Sequence, residues 1–373
     1  MKLCFRLATG VLAMLLSTTH AVCAPPAPTP SRSPIIIAHR GASGYRPEHT
    51  LAAYELAIQQ GADFIEPDLV ITKDGVLVAR HENEISQTTD VARHAEFADR
   101  KVTKKLGSRT VTGWFTEDFT LAELKSLRAV ERLPKLRPKS AEYDGKYEIP
   151  TFDEVLKLAR QQSATVGREI GVYPETKHPS HFEALGLPLE GRLVENLNAQ
   201  GYTEPEAPVF IQSFEPSSLK KMRPMTRVRL IQLLGDQPPA ELTDTETNTS
   251  RPGWLNRAVL DRIKEYADGI GPDKSLIVAR DRNGNLLEPT SVVTDAHAAG
   301  LLVHPYTFRN ENTFLPVSLR RGDKTAPGFG SSHGDYAAEY QLFFGLGVDG
   351  LFSDFPDAAI ASRKEFLRTN PAR

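Results

Sequence analysis

The chain has 373 residues, with 45 lysines and arginines against 47 aspartates and glutamates, a formal net charge of −2. Charged residues at 25% beside 40% hydrophobic ones are ordinary globular values and exclude wholesale disorder. The charge balance argues against a nucleic-acid binder working through a broad basic surface and gives no special attraction to anionic membranes. Two cysteines cannot make a disulfide framework.

Lys2 and Arg6 precede the apolar run Leu7–Leu16, and small and polar residues follow up to Ala24. That layout predicts a secretory signal peptide over 1–24 and an exported protein, periplasmic or secreted. The apolar run is too short for a spanning helix, which needs ~20 residues, and nothing after residue 24 reads as transmembrane. Residues 25–34 form a Pro-rich leader. Cys4 leaves with the signal, so an exported chain of this kind relies on its core, or on a metal, for stability.

From residue 35 to about 368, short apolar runs alternate with helical patterns. Ile35–Ala38, Ala62–Asp68, Glu169–Glu175, Val209–Ser213, Val228–Leu234, Asp268–Gly271, Leu301–Tyr306 and Gly350–Asp354 read as strands. Most are apolar on both faces, as parallel strands buried under helices are. Between them Leu51–Gln60, Phe152–Gln161, Glu190–Gln200, Arg257–Tyr266, Ser291–Ala299, Tyr336–Leu346 and Ala358–Leu367 read as helices. Thr151 followed by Glu154 is a capping-box start for the second of these. Eight strands with helical crossovers suit an α/β fold of the (β/α)₈ TIM-barrel type, with a doubly wound open sheet as the alternative.

One stretch breaks the alternation. Thr72-Lys73-Asp74-Gly75 is a tight-turn sequence between Leu69–Ile71 and Val76–Ala79, which predicts a β-hairpin. The charged, polar segment after it, about 84–148, is far longer than the ~2–6 residues of an ordinary barrel connection. It reads as a small inserted subdomain after the second strand, with a short helix near Thr120–Leu127. Residues 237–253 read as a polar surface loop. Asp281-Arg282-Asn283-Gly284-Asn285 resembles a calcium-loop fragment, but its glycine and terminal glutamate are misplaced, so it reads as a turn.

Chemistry-bearing residues gather at the expected strand ends, where a barrel carries its active site. His39-Arg40 closes the first strand and suits proton transfer beside a bound anion. Glu66-Pro67-Asp68 closes the second; residues i and i+2 share a face, so both carboxylates enter one cavity, and a cation relieves their repulsion. Oxygen-only ligands favour Ca²⁺ or Mg²⁺ over zinc. Glu175-Thr176-Lys177 closes the third strand and adds a carboxylate and a cation. His81 follows the hairpin and can lie back over the same mouth. Taken singly, each has a bland reading: a capped strand-end histidine, carboxylates salt-bridged to local Arg or Lys, a surface histidine.

The same residues carry a family resemblance. Ile37-Ala38-His39-Arg40-Gly41-Ala42-Ser43 with Pro47-Glu48-His49-Thr50, then Glu66-Pro67-Asp68, His81, Glu175-Thr176-Lys177, Gln212-Ser213-Phe214, His304-Pro305-Tyr306-Thr307-Phe308-Arg309 and Ser353-Asp354-Phe355-Pro356-Asp357 resemble the glycerophosphodiester phosphodiesterases, most of all the periplasmic, calcium-dependent branch. The resemblance implies metal-dependent hydrolysis of glycerophosphodiesters to sn-glycerol 3-phosphate and an alcohol, with Ca²⁺ before Mg²⁺ as the cation. It makes His39 and His81 the acid/base pair, Glu66, Asp68 and Glu175 the metal ligands, Arg40 and Lys177 the phosphate ligands, and Phe308 part of the glycerol-side lining. One departure is Glu82, where an aspartate commonly follows the second histidine. The alternatives are a phosphodiesterase for lysophospholipids or glycerol-phosphate polymers, and a non-catalytic periplasmic phosphodiester-binding protein. Two proton carriers argue against the last, because binding an anion requires only cations.

Overall fold

The computed structural model describes residues 33–107, 109–243 and 254–371. The expected signal segment, most of the leader and the second half of the 237–253 loop lie outside the described residues.

The strands are β1 (Ile35–His39), β2 (Phe64–Glu66), β3 (Asp68–Ile71), β4 (Leu77–Ala79), β5 (Val102–Leu106), β6 (Arg109–Gly113), β7 (Gly171–Val172), β8 (Glu175–Thr176), β9 (Phe210–Ser213), β10 (Arg229–Leu234), β11 (Gly269–Pro272), β12 (Leu302–Val303) and β13 (Gly350–Ser353). Parallel pairing runs β13–β1–β2–β7 on one side and β12–β11–β10–β9–β8–β3 on the other. The ring closes between β12 and β13, where Asp349 N–H donates to Val303 O at 3.0 Å and Phe352 N–H to Pro305 O at 3.1 Å. Eight strand positions result, and the fold is a (β/α)₈ barrel.

Two expected strands are each split by a proline. Ala62–Asp68 becomes β2 and β3 around Pro67, and Glu169–Glu175 becomes β7 and β8 around Tyr173-Pro174. Proline has no N–H for the ladder, so the strand bends there. Beyond the bend β3 pairs antiparallel with β4, Leu69 opposite Ala79, and this is the expected hairpin. The Asp68, Glu175 and Gln212 positions still lie side by side across three strands.

Alternation divides the buried residues between two cores. Ile37, Phe64, Tyr173, Phe210, Ile231 and Phe352 fill the barrel interior. Their neighbours Ile36, Ile65, Val172, Leu230, Ile270 and Leu351 belong to the larger core that holds Tyr54, Leu156, Leu193, Ile263 and Phe344 from the helices. Inside the barrel the Tyr173 hydroxyl meets His304 Nδ1 at 2.8 Å, which satisfies two polar groups that burial would otherwise penalise.

The helix after the insertion, Phe152–Val166, has the expected capping box from Thr151 and Glu154 and stops at Gly167 with φ 67°, a left-handed position suited to glycine. Within the insertion, β5 and β6 form an antiparallel hairpin, and a short helix Leu121–Ser126 starts on a second capping box, Thr120 with Glu123. The segment leaves the barrel after β4 and returns beside it, since Ala79 N–H donates to Pro150 O at 2.9 Å. Short helices Pro179–Ala184 and Pro216–Met222, each with proline in the first turn, were not expected from periodicity. Asp281 accepts from the Asn283 and Asn285 amides at 2.8 and 2.9 Å, so this stretch is the expected turn.

Candidate active site

At the end of β1 the chain turns sharply. Arg40 adopts φ 62° and Gly41 φ 85°, and a Cβ on Gly41 would sit 2.6 Å from the Ala53 carbonyl carbon, so the close approach of this turn to the first helix requires glycine. The turn aims the Arg40 amide at Glu66 Oε2, at 2.7 Å. The Arg40 guanidinium meets both Glu48 oxygens at 3.2 Å and lies 3.5 Å from Asp68 Oδ2.

Glu66, Asp68 and Glu175 present carboxylate oxygens that all lie within 4.8 Å of one another, and all three residues are buried. Gln212 donates to Glu66 Oε1 at 3.2 Å. Asp68 Oδ2 accepts from His49 Nε2 at 2.8 Å, whereas Asp68 Oδ1 is buried without a hydrogen bond. Lys177 Nζ lies 2.9 Å from Glu175 Oε1 and 3.9 Å from Asp68 Oδ1. Burial, with the charges of Asp68 and Glu175 close by, drives the Glu66 carboxyl well above its usual range. Burial pushes Glu175 up to about 8 against the pull of Lys177. Asp68 goes the other way: burial opposes ionisation, but Lys177 and His49 hold it well below the usual carboxylate range. Crowded acids and an orphaned carboxylate oxygen fit a hard divalent cation bound through oxygen.

His39 and His81 face the same cavity, which has a volume of about 490 Å³ and is also lined by Arg40, Glu66, Glu175 and Lys177. His39 Nδ1 is 2.6 Å from Asp354 Oδ1. Burial disfavours the Asp354 charge, but Arg309, Arg137 and His39 hold this carboxyl well below its normal range. An ionised carboxylate can only accept, so Nδ1 carries the hydrogen and Nε2 is left as the basic nitrogen. Burial, helped by Arg40, lowers His39 to about 4, and burial with Arg40 and Lys177 lowers His81 to about 3. Both rings are therefore neutral near pH 7 without ligand. Glu82 lies 3.3 Å from His81 Nδ1 through one oxygen and 2.8 Å from His178 Nε2 through the other, so its longer side chain bridges two histidines.

Seven of the eight expected site residues thus converge. Phe308 is the exception: it is fully buried, stacked on Tyr340 at 5.3 Å and edge-on to Phe343 at 4.9 Å. Its amide donates to Phe352 O, and the ring packs among aromatics of the Tyr336–Gly345 helix, so it does not line the cavity. Phe214 and Tyr306 supply aromatic wall there instead. Sequence reasoning also left Asp354, His49, Glu48, Gln212 and Arg137 without roles. Asp354 directly follows β13 and falls under the strand-end rule that found the others. Arg137 offers no such signal.

A barrel whose C-terminal mouth combines two histidines, a buried cluster of three carboxylates able to hold a cation, an arginine and a lysine is a phosphate-ester-cleaving enzyme in its architecture. Residues 39–358 match the glycerophosphoryl diester phosphodiesterase family, and the chain belongs to it. It is 40% identical over 341 residues to glycerophosphodiester phosphodiesterase GDPD6 of Arabidopsis thaliana, covering 88% of this chain and 85% of that one. To the glycerophosphodiester phosphodiesterase of Haemophilus influenzae it is 29% identical, covering 90% of each. Among solved structures, a phosphodiesterase of Oleispira antarctica in complex with the product sn-glycerol-3-phosphate superimposes with a TM-score of 0.53 at 23% identity, over 89% of this chain and 97% of that one. A glycerophosphoryl diester phosphodiesterase structure from Silicibacter pomeroyi gives 0.61 at 18% identity, over 90% and 95%.

Proposed function

We propose that the enzyme hydrolyses glycerophosphodiesters, the products of phospholipid deacylation, to sn-glycerol 3-phosphate and an alcohol, with His39 and His81 as proton carriers. The observation that carries this reading is the meeting of both histidines, Arg40, Lys177 and the acidic cluster in one cavity. Glu66, Asp68 and Glu175 would hold the cation; three carboxylates and no sulfur donor favour Ca²⁺ first and Mg²⁺ second. When bound, such a cation supplies positive charge that offsets charge developing on the reacting oxygens.

Arg40 and Lys177 grip the phosphate and balance its growing negative charge. The glycerol hydroxyl beside the phosphate is the nucleophile: it is already tethered, so attack avoids the entropic cost of capturing a water. One histidine accepts that proton at its free ring nitrogen. The other, favoured in its protonated form by the phosphodiester charge beside it, gives a proton to the departing alcohol. Water then opens the cyclic phosphate with the two roles exchanged. The layout of the first 24 residues supports export.

The test is a glycerophosphocholine analogue lacking the hydroxyl next to the phosphate. It is expected to bind with similar affinity and to resist cleavage, with release of the alcohol as the readout. Cleavage near the parent rate would establish direct attack by water and refute the cyclic route.

A further inference from the structure

We propose that the inserted segment positions both the proton carrier and the phosphate ligand, through two arginines on one of its turns. Arg137 sits at the end of that turn with its side chain almost completely buried. Its Nη2 donates to Asp354 Oδ2 at 2.6 Å, its Nε to Glu311 Oε1 at 2.7 Å and its Nη1 to Ser43 O at 2.9 Å. Asp354 in turn holds His39 Nδ1 at 2.6 Å. Arg132, on the same turn, forms an ion pair with Glu48 Oε2 at 3.1 Å, and Glu48 holds Arg40 through both oxygens.

The two chains have the same design: an insertion arginine, a buried barrel carboxylate, then a group facing the cavity. At Asp354 the insertion arginine takes Oδ2 while Oδ1 is left to orient His39; at Glu48 Arg132 shares Oε2 with Arg40, which also reaches Oε1. Without the insertion arginine, Asp354 Oδ2 keeps only Arg309 and Glu48 keeps only Arg40 among the described residues, so each carboxylate holds its histidine or guanidinium less firmly in direction. Hydrogen bonds brace the turn itself. Glu131 accepts from Ser140 Oγ at 2.5 Å and from the Leu133 amide at 2.8 Å, and the Arg137 amide donates to Leu133 O at 2.8 Å. Arg132 and Arg137 therefore move together, as a single clamp on the barrel mouth. Both are positioning residues: neither lines the cavity, and each acts through a carboxylate.

This assignment rests on the reading of His39 as a proton carrier and Arg40 as a phosphate ligand. The steady-state constants for glycerophosphocholine separate its two arms. Arg137→Ala is expected to lower kcat by about 10–100-fold with KM within about threefold, the scale of loss for a displaced catalytic group. Arg132→Ala is expected to raise KM by about 3–10-fold with kcat little changed, and its effect is expected to be non-additive with that of Glu48→Gln, because the two share one path. Arg100→Ala is the control: this insertion arginine pairs with Glu123 at 2.5 Å and does not reach the mouth, so both constants stay within about twofold of wild type. Arg137→Lys keeps a charge but cannot span Asp354, Glu311 and Ser43 together; it is expected to fold even where the alanine variant does not, and to lose kcat by an intermediate factor. Wild-type kcat in folded Arg137→Lys and Arg137→Ala protein overturns the proposal, as does an equal fall for Arg100→Ala. Full turnover in His39→Ala would instead sink the catalytic reading beneath it, so the two failures are distinguishable.

Discussion

Asp354→Asn tests the electrostatics of the mouth most sharply. In the native site Asp354 Oδ1 faces His39 Nδ1 at 2.6 Å, while Oδ2 accepts from Arg137 Nη2 at 2.6 Å and Arg309 Nε at 2.9 Å. An asparagine has one carbonyl oxygen and one NH₂. Two arginines demand the acceptor at the Oδ2 position, which leaves the NH₂ facing His39. The ring must then accept at Nδ1 and carry its hydrogen on Nε2, the tautomer that cannot take a proton from substrate. An aspartate-to-asparagine change that traps the wrong tautomer costs about 10⁴ in kcat in the serine-protease triad. Here two arginines pin the amide, so a loss of about 10³–10⁴ is expected, which corresponds to about 4–5.5 kcal/mol of barrier. Glycerol 3-phosphate release in a coupled assay, at saturating glycerophosphocholine and cation, measures it, with a melting curve to establish folding. A folded variant within threefold of wild-type kcat would refute the tautomer argument.

His81→Ala should lower turnover by about 10²–10⁴ while a Ca²⁺-induced rise in melting temperature persists; turnover within a few-fold of wild type would remove His81 from the chemistry. EDTA should abolish turnover, and Ca²⁺ or Mg²⁺ should restore it better than Zn²⁺. Cation at 100 times its Kd should stabilise the folded protein by about 2.7 kcal/mol, a gain that Glu66→Ala should lose; full activity of demonstrably metal-free protein would defeat this. The pair His297 with Asp349, at 2.8 Å, should give a pH-dependent stability. Its hydrogen bond to Asp349 raises His297, so that residue's contribution is complete below about 6.5 and disappears as pH rises through the higher folded value. Asp349 is lowered against the effect of burial, chiefly by His297, so its part is lost on acidification below its unfolded value near 4. The melting-temperature gap between wild type and His297→Gln should be widest near pH 5 and close in mild alkali; a gap independent of pH would contradict it.

What was legible in the sequence was whatever depends on local order. Glu66 and Asp68, or Glu175 and Lys177, are two residues apart at the end of an apolar run, and strand alternation then aims them into one mouth. The prolines that split these strands do not disturb the pairing of Asp68 with Glu175, so that inference survives the bend. Phe308 rested on the family resemblance alone, with no strand-end signal behind it: β12 ends at Val303, and the Phe308 ring packs against Tyr340 and Phe343. Arg137 was invisible for a different reason. Its partners Ser43, Glu311 and Asp354 lie 94, 174 and 217 residues away, and no pattern within the insertion records that it will meet them.

The two ends of the insertion stand side by side, joined by the Ala79–Pro150 hydrogen bond and the bridge between Val78 and Thr151. To the barrel, the whole segment is a loop of almost no span. Lengthening such a loop is thermodynamically cheap: each doubling adds only about 0.6 kcal/mol of closure entropy. The barrel can therefore accept inserts of very different size at this point without repacking its strands. Catalysis is less permissive, because any replacement would also have to return two cations to Glu48 and Asp354. Exchange of this segment between related barrels should therefore yield proteins that fold readily and turn over slowly, until those two arginines are restored.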